Sequence, residues 1–257
     1  DLRQDRATVG EDELLVVLLG AGRPGVSALK LAQGILGEAG GLSNLIRTLR
    51  PEDIERYRLG STSAGRLLAA AELAERAGRA NTAIRMIREG FPEIASTAIA
   101  ETPIDAVSAY LPLRYGNHLV AAADRFDLDP WTLAALARQE STFIAHARSP
   151  AGARGVLQLL PSTARLHSRA LGLGSRPDLE DPAINIRLGA RELATLIRKY
   201  GALEPALAAY NAGERRVRSW WRRWPDPRVF SESVPIPETY SYIRRVVFLS
   251  DAYRQIH

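Results

Sequence analysis

The sequence predicts an all-α protein. Apolar residues recur at three- and four-residue spacing through most of the chain. No run alternates apolar and polar residues for long enough to make a strand. Glycines and prolines punctuate the periodic segments, so short helices are joined by short turns.

In chain order, Leu14, Leu15, Leu18 and Leu19 form the first helical stripe. Leu29, Ala32, Gln33 and Leu36 form the second. Gly20-Ala21-Gly22 and Gly37, Gly40 and Gly41 interrupt them. Ser43–Leu49 and Pro51–Tyr57 read as two short helices, Ala64–Ala77 as an alanine-rich helix and Ala80–Arg88 as another. The stretch from Pro92 to Leu113 contains Pro92, Pro103 and Pro112 with few apolar repeats, and reads as a connector. Beyond it, Asp129-Pro130 and Asp181-Pro182 each set an N-cap side chain before a proline at the first helical position. Pro205–Ala212 ends at Gly213, a residue suited to the C-cap. Pro237–Tyr253 is the last long helix.

The chain has 257 residues, 46% hydrophobic and 25% charged. At roughly 150 residues per domain this is one large or two modest domains, and a wholly disordered chain is excluded. The longest aliphatic run, Leu14–Leu19, has six residues, against about 20 for a spanning helix, so no transmembrane segment is expected. The absence of cysteine excludes disulfides, zinc ribbons and thiol nucleophiles. His118, His146, His167 and His257 show no metal spacing, and neither GxGxxG nor GxxxxGK[ST] is present. No metal and no cofactor are therefore expected. A chain that begins at Asp1 without a signal-peptide pattern is expected to be a processed or excised piece.

Charge is unevenly placed. Residues 1–79 carry 11 basic and 11 acidic side chains, whereas residues 80–257 carry 23 and 18 and hold the whole net charge of +5. Such an excess suits an anionic polymer without identifying one.

The most informative segment is Asp129–Ser141. Leu133, Leu136, Ala137 and Glu140 share one helical face, so Glu140 points inward from the helix's last turn. An apolar setting and the negative end of the helix dipole both disfavour a carboxylate, and so raise the pKa. A glutamic acid protonated near neutral pH is what general acid catalysis requires. The competing reading is a structural glutamate that bonds a backbone amide or pairs with an arginine. Downstream, Gly152 and Gly155 allow close backbone approach, and Gln158 is polar among Val156, Leu157, Leu159 and Leu160. Its amide needs partners, either a substrate or the loop backbone. Tyr210 and Asn211 precede Gly213 and, taken alone, are ordinary capping material.

Five segments in order then resemble the catalytic domain of the lytic transglycosylases, lysozyme-like enzymes that cleave peptidoglycan. They are ARQES at Ala137–Ser141, SPAGARGVLQLLPSTA at Ser149–Ala164, DPAINIRLGARELATLI at Asp181–Ile197, ALAAYNAGERRVRSW at Ala206–Trp220 and VPIPETYSYIRRVV at Val234–Val247. The resemblance covers about Leu111 to His257 and is to the soluble, superhelical type. Ala64–Pro92 is similar to the helical hairpin that precedes the catalytic domain there. Where the family often has Gly-Leu-Met-Gln-Leu-Met-Pro, this chain has Gly155-Val156-Leu157-Gln158-Leu159-Leu160-Pro161. These are apolar swaps of similar size, expected to alter groove shape rather than chemistry.

The resemblance implies a lysozyme-like α-helical catalytic domain over residues 111–257, behind a helical connector at 80–110 and a small helical module at 1–79. It implies Glu140 as catalytic acid, with Ser149, Gln158, Tyr210, Asn211, Glu238 and Tyr242 near the sugar groove. It implies peptidoglycan glycan strands as partner, and the periplasm or cell envelope as location. No second carboxylate lies between Glu140 and Asp178, whereas typical glycosidases need two. A transglycosylase manages with one, since Glu140 can protonate the glycosidic oxygen and then deprotonate the muramyl C6 hydroxyl, giving a 1,6-anhydro end. A goose-type lysozyme that uses water, and a non-catalytic peptidoglycan-binding module, are the alternatives. Intact Glu140 and Gln158 argue against the second.

Two further features carry signals of a nucleic-acid site. Trp220, Trp221 and Trp224 are interleaved with Arg215, Arg216, Arg218, Arg222 and Arg223. Tryptophan at helical spacing is more often core, and the arginines opposite it a solvated face. Residues 11–79 resemble the N-terminal helical module of RadC-type proteins, which carries a helix-hairpin-helix. The turn here is Arg58-Leu59-Gly60-Ser61-Thr62-Ser63, with one glycine and the family's basic residue lost. A net-neutral module with such a turn is a poor phosphate grip, so nucleic acid is not the expected partner.

Overall fold

The computed structural model describes Ala80–Gly90, Ile94 and residues 104–257, with the isolated positions Gln33, Ala71 and Ala74. Those three are helical, and Ala71 and Ala74, a turn apart within the expected Ala64–Ala77 helix, are buried. The remaining expectations for residues 1–79, the RadC-like turn included, lie outside the described residues. The chain divides into two compact units, Asp1–Pro112 and Leu113–His257.

In the first unit, α1 (Ala80–Gly90) buries Ala80, Ala83, Ile84 and Ile87. Their i, i+3, i+4, i+7 spacing makes the stripe that packs on α2 (Ile104–Tyr110). The sequence alone reads α2 as part of a connector. Its buried positions are Val107, Ala109 and Tyr110 over only seven residues, a stripe short enough to be lost between the flanking prolines.

The second unit contains α3 (Gly116–Phe126), α4 (Pro130–Glu140), α5 (Pro161–Ser168) with a 3-10 turn at Arg169–Leu171, α6 (Pro182–Tyr200), α7 (Leu203–Ala212), α8 (Glu214–Arg223), α9 (Pro227–Ser233) and α10 (Pro237–Ile256). Among the described residues there is no strand. Two isolated bridges, Arg148 to Arg154 and Arg154 to Leu159, shape the loop between α4 and α5.

Aspartates open three helices. Asp129 accepts from the Thr132 amide at 2.9 Å, and Asp181 accepts from the Ala183 and Ile184 amides. Asp226 caps α9 in the same way, through Arg228 and Val229. Each precedes a proline, whose missing N–H costs nothing at that position.

Helix α4 is the centre of this unit. Thr132 through Ala137 are six consecutive buried residues, so the helix is enclosed on every side rather than along one stripe. It packs against α10 and α3, while α6 packs on α7, α3 and α5. The last residue of this enclosed helix is Glu140.

Candidate active site

Glu140 is held where water reaches it poorly. Burial raises its pKa from 4.5 to about 7, against an opposing hydrogen bond from Tyr242. That hydroxyl, on the buried Tyr242 in the second turn of α10, donates to Oε1 of Glu140. Neutral protonation of this carboxyl near pH 7 follows from desolvation outweighing a single donor.

Tyr242 and Tyr210 are each pushed well above the usual phenol range, first by burial and then by the charge on Glu140. Both therefore remain protonated donors beside the carboxyl. The Tyr210 hydroxyl, at the end of α7, donates to the Leu157 carbonyl at 2.8 Å. Helix α6 allows this approach because Gly189 lies beneath. A Cβ there would collide with the Leu157 side chain and stand 3.1 Å from the Tyr210 oxygen.

The loop after α4 is tied to the same centre. Ser141 Oγ donates to the Val156 carbonyl at 2.8 Å and accepts from the Ile144 amide at 3.1 Å. Asn185, fully buried on α6, accepts from the Leu157 amide at 2.7 Å and donates to the carbonyls of Arg154 and Leu179. Gly155, at φ 79°, lies directly against Asn185 and Leu179, and a side chain there would overlap both. Gln158, at φ 44°, turns its Nε2 to the Ala147 and Gly155 carbonyls at 3.1 and 2.9 Å. The amide nitrogen is thus used by the loop, and Oε1 makes no hydrogen bond among the described residues.

The structure thus brings Glu140, Tyr242, Tyr210 and the Gln158 loop together. Asn211 joins through α10, its Oδ1 accepting from Thr239 at 2.7 Å. Ser149 is half-buried and clamps its own turn, accepting from the Ala153 amide at 3.0 Å. Glu238 is exposed in the first turn of α10. Neither Ser149 nor Glu238 is bonded to the Glu140 group.

Sequence reasoning missed Asn185, Gly189, Thr239 and the pair His167 and Glu192. The available signal for the first two was a polar residue and a glycine four apart within an apolar helix face. His167 Nε2 and Glu192 Oε2 stand 2.5 Å apart, largely buried between α5 and α6. Glu192 is the second carboxylate whose charge acts on Tyr210, but it is engaged by His167 and is not among the groups acting on Glu140. Among the described residues, no group of three or more candidate ligands could hold a metal ion, and no helix is long and apolar enough to cross a membrane.

In the tryptophan segment Trp220, Trp221 and Trp224 are each half-buried and none belongs to the core. Trp221 sits edge-on between Tyr200 and Phe230, with centroids at 6.3 and 5.5 Å. Arg215, Arg216, Arg218, Arg222 and Arg223 form the exposed face.

The all-helical architecture of this unit matches the lysozyme-like SLT fold of the solved neighbours. Residues 118–227 match the family described as the transglycosylase SLT domain. The chain is 32% identical over 160 residues to the soluble lytic murein transglycosylase of Salmonella typhimurium, covering 58% of this chain and 24% of that protein. It is 32% identical over 157 residues to that of Escherichia coli K12, covering 58% and 24%. It spans about a quarter of the length of these curated relatives. A UPF0758 protein of Carboxydothermus hydrogenoformans is 43% identical over 76 residues, 29% of this chain and 33% of that one. The solved lytic transglycosylase Slt of Pseudomonas aeruginosa, an inactive mutant, superposes with a TM-score of 0.66 at 30% identity, covering 92% of this chain and 38% of that one. The 70 kDa soluble lytic transglycosylase of Escherichia coli, at TM-score 0.64 and 23% identity, covers 89% and 35% and shares the fold.

Proposed function

We propose that this protein is a peptidoglycan lytic transglycosylase with Glu140 as its single acid and base. The observation that carries this reading is the enclosed Glu140 carboxyl, raised to about 7 by burial and held by the Tyr242 hydroxyl. The match of residues 118–227 to the transglycosylase SLT domain supports it.

In the first step, protonated Glu140 donates to the oxygen linking N-acetylmuramic acid to N-acetylglucosamine. The C1–O bond breaks, and the substrate's own 2-acetamido group stabilises the positive C1. Glu140, now a carboxylate, accepts the proton of the muramyl C6 hydroxyl as that oxygen bonds to C1. The product is a 1,6-anhydro end, no water is consumed, and Glu140 is again protonated. Tyr242 keeps one carboxyl oxygen oriented through both steps. Gln158 Oε1 and the Asn211 amide nitrogen are the groups left to hold acetamido and hydroxyl groups. Ser149 shapes the loop, and Glu238 lies at the outer rim.

On this reading residues 111–257 are the catalytic domain, residues 80–110 a helical connector, and residues 1–79 a RadC-like helical module with a structural or vestigial role. The place of work is the periplasm or cell envelope, where the glycan is. The test is mass spectrometry of soluble products from purified peptidoglycan, with Glu140→Gln in parallel. Muropeptides one water lighter than hydrolysis products, lost in the variant, are expected. Products that took up water assign a lysozyme instead, and no products from either protein leave a binding module.

A further inference from the structure

The net charge of this chain is concentrated on one short stretch. Residues 215–228 hold six arginines, Arg215, Arg216, Arg218, Arg222, Arg223 and Arg228, against the single acid Asp226. Their balance of +5 equals the net charge of the whole chain. All other residues together are neutral, so this stretch dominates the long-range field.

Helix α8 turns these side chains outward. Val217 is buried, and Trp221 meets Tyr200 and Phe230 on the inner side. Arg215, Arg218 and Arg222, at i, i+3 and i+7, make a row that faces away from Val217, with Arg216 and Arg223 beside it. All five are exposed, as is Arg228 on α9. At 1.5 Å per residue the row runs for about 10 Å. Like charges at this spacing repel and weaken the helix. None of the six arginines is in an ion pair among the described residues. The acids around them have partners of their own. Lys199 pairs with Glu214 and Arg244 with Glu232, while Asp226 accepts from the Arg228 and Val229 amides. The fold thus keeps a repelling, uncompensated row on its surface, and an anionic partner would neutralise it.

Apolar groups edge the row. Trp220 and Trp224 lie one turn apart at the end of α8, the Trp224 amide donating to the Trp220 carbonyl at 3.0 Å. Both rings are half-buried, and neither packs on another aromatic ring among the described residues. The Arg223 guanidinium lies over the Trp224 ring, 5.0 Å from its centroid. On α9, Val229 is 50% exposed. Tryptophan suits the headgroup level of a bilayer, with its apolar body toward the acyl chains and its N–H in water. Arginine matches phosphate oxygens with a two-pronged fork. A soluble polyanion would use the guanidinium row and leave Val229 idle. We propose that this face of α8 and α9 docks the protein on a membrane surface rich in anionic phospholipid. The contact is peripheral and screened by salt. It stands on the arginine face and not on the transglycosylase reading, and its test reads no turnover.

The test is sedimentation of the full chain with vesicles of phosphatidylglycerol and phosphatidylcholine in equal parts, and with vesicles of phosphatidylcholine alone. The wild type is compared with the triple variant Arg215→Gln, Arg218→Gln, Arg222→Gln. A control variant, Arg165→Gln, Arg169→Gln, Arg176→Gln, loses the same charge from other exposed positions. Wild type and control are expected to bind the anionic vesicles and to ignore phosphatidylcholine. The α8 variant is expected to partition about 100-fold more weakly, at roughly fivefold per arginine. All substituted side chains are exposed, so thermal midpoints should match the wild type. Quenching of tryptophan fluorescence by brominated acyl chains, seen with wild type and lost in the α8 variant, gives a second readout. Equal losses in the two variants reduce the effect to net charge and overturn the proposal. So does wild-type binding that is the same on both kinds of vesicle, or absent from both. Binding of a single-stranded DNA oligonucleotide that depends on the α8 arginines, with no vesicle binding, assigns a nucleic-acid surface instead.

Discussion

The two ends of α4 carry carboxyl groups with opposite fates. Asp129 begins the helix and Glu140 ends it, and the same partner, α10, reaches both. At the first end α10 brings Ser250 and Arg254, whose Nη2 lies 2.8 Å from Oδ2 of Asp129. At the other end it brings the single hydroxyl of Tyr242. Burial acts to raise the pKa at Asp129, yet bonds from Thr132 and the charge of Arg254 outweigh it and hold this carboxyl below its usual range. At Glu140 burial meets one neutral donor and wins, to about 7. One carboxyl is kept charged to hold the fold, and the other is kept protonated at a cost to the fold. The difference lies in the number and charge of the donors, and not in the residue type.

The largest expected effect comes from removing the costly end. On the proposed mechanism, Glu140→Gln lowers product formation by about 10³-fold or more, because proton donation and removal are both lost. The same substitution is expected to stabilise the protein above pH 7. Between 4.5 and about 7 the folded wild type holds a proton that the unfolded chain has released. The stabilising contribution is therefore full in acid and is lost as pH rises, by about 3 kcal/mol in all. Glutamine has no such loss. Denaturant unfolding at pH 4 and pH 8 checks this, with the variant gaining on the wild type only at pH 8. Equal pH dependence in the two proteins would break the contrast between the ends of α4.

The loop that covers Glu140 is expected to be nearly as sensitive. Asn185 satisfies the Leu157 amide and the Arg154 and Leu179 carbonyls from a fully buried position. Asn185→Ala leaves these groups unpaired and is expected to cost about 3 kcal/mol in unfolding free energy. Activity should fall with it at temperatures where the chain is still folded, since Leu157 also receives Tyr210. A variant with normal stability would show that solvent replaces the side chain.

The sequence made one end of α4 more legible than the loop. Asp129-Pro130 identifies a helix start by local chemistry alone, and Glu140 follows from counting turns along Leu133, Leu136 and Ala137. The enclosure of α4 on all sides was not readable, because much of it is made by α10 from a distant part of the chain. The same is true of the donors to Glu140: Tyr242 lies 102 residues away, and only the family resemblance pointed to it. Gln158 stayed ambiguous because amide patterning cannot tell a substrate from the loop's own carbonyls.

At the well-paired end the expected effect is smaller. Asp129→Ala removes an N-cap and one partner of Arg254, and should cost about 1 kcal/mol at neutral pH. The folded pKa of Asp129 is depressed, so its contribution is full above the unfolded value. It is lost as pH falls through the folded one. Unfolding curves for wild type and variant should converge in strong acid and separate above it. This is the reverse of the pattern expected for Glu140.

The smallest change sharpens the comparison most. Tyr242→Phe removes the one donor that opposes burial at Glu140, without removing the ring that shields it. The carboxyl then loses the hydrogen bond that supports its charged form, and its pKa rises further. Activity that requires protonated Glu140 falls as pH rises through this value, so the alkaline limb should move upward by about one unit. The rate at the acid plateau should drop only by the loss of orientation. A rate profile with the limb unmoved would mean that another group controls it. A limb moved downward would mean that the hydroxyl holds the protonated form, and that the asymmetry between Asp129 and Glu140 has a different cause.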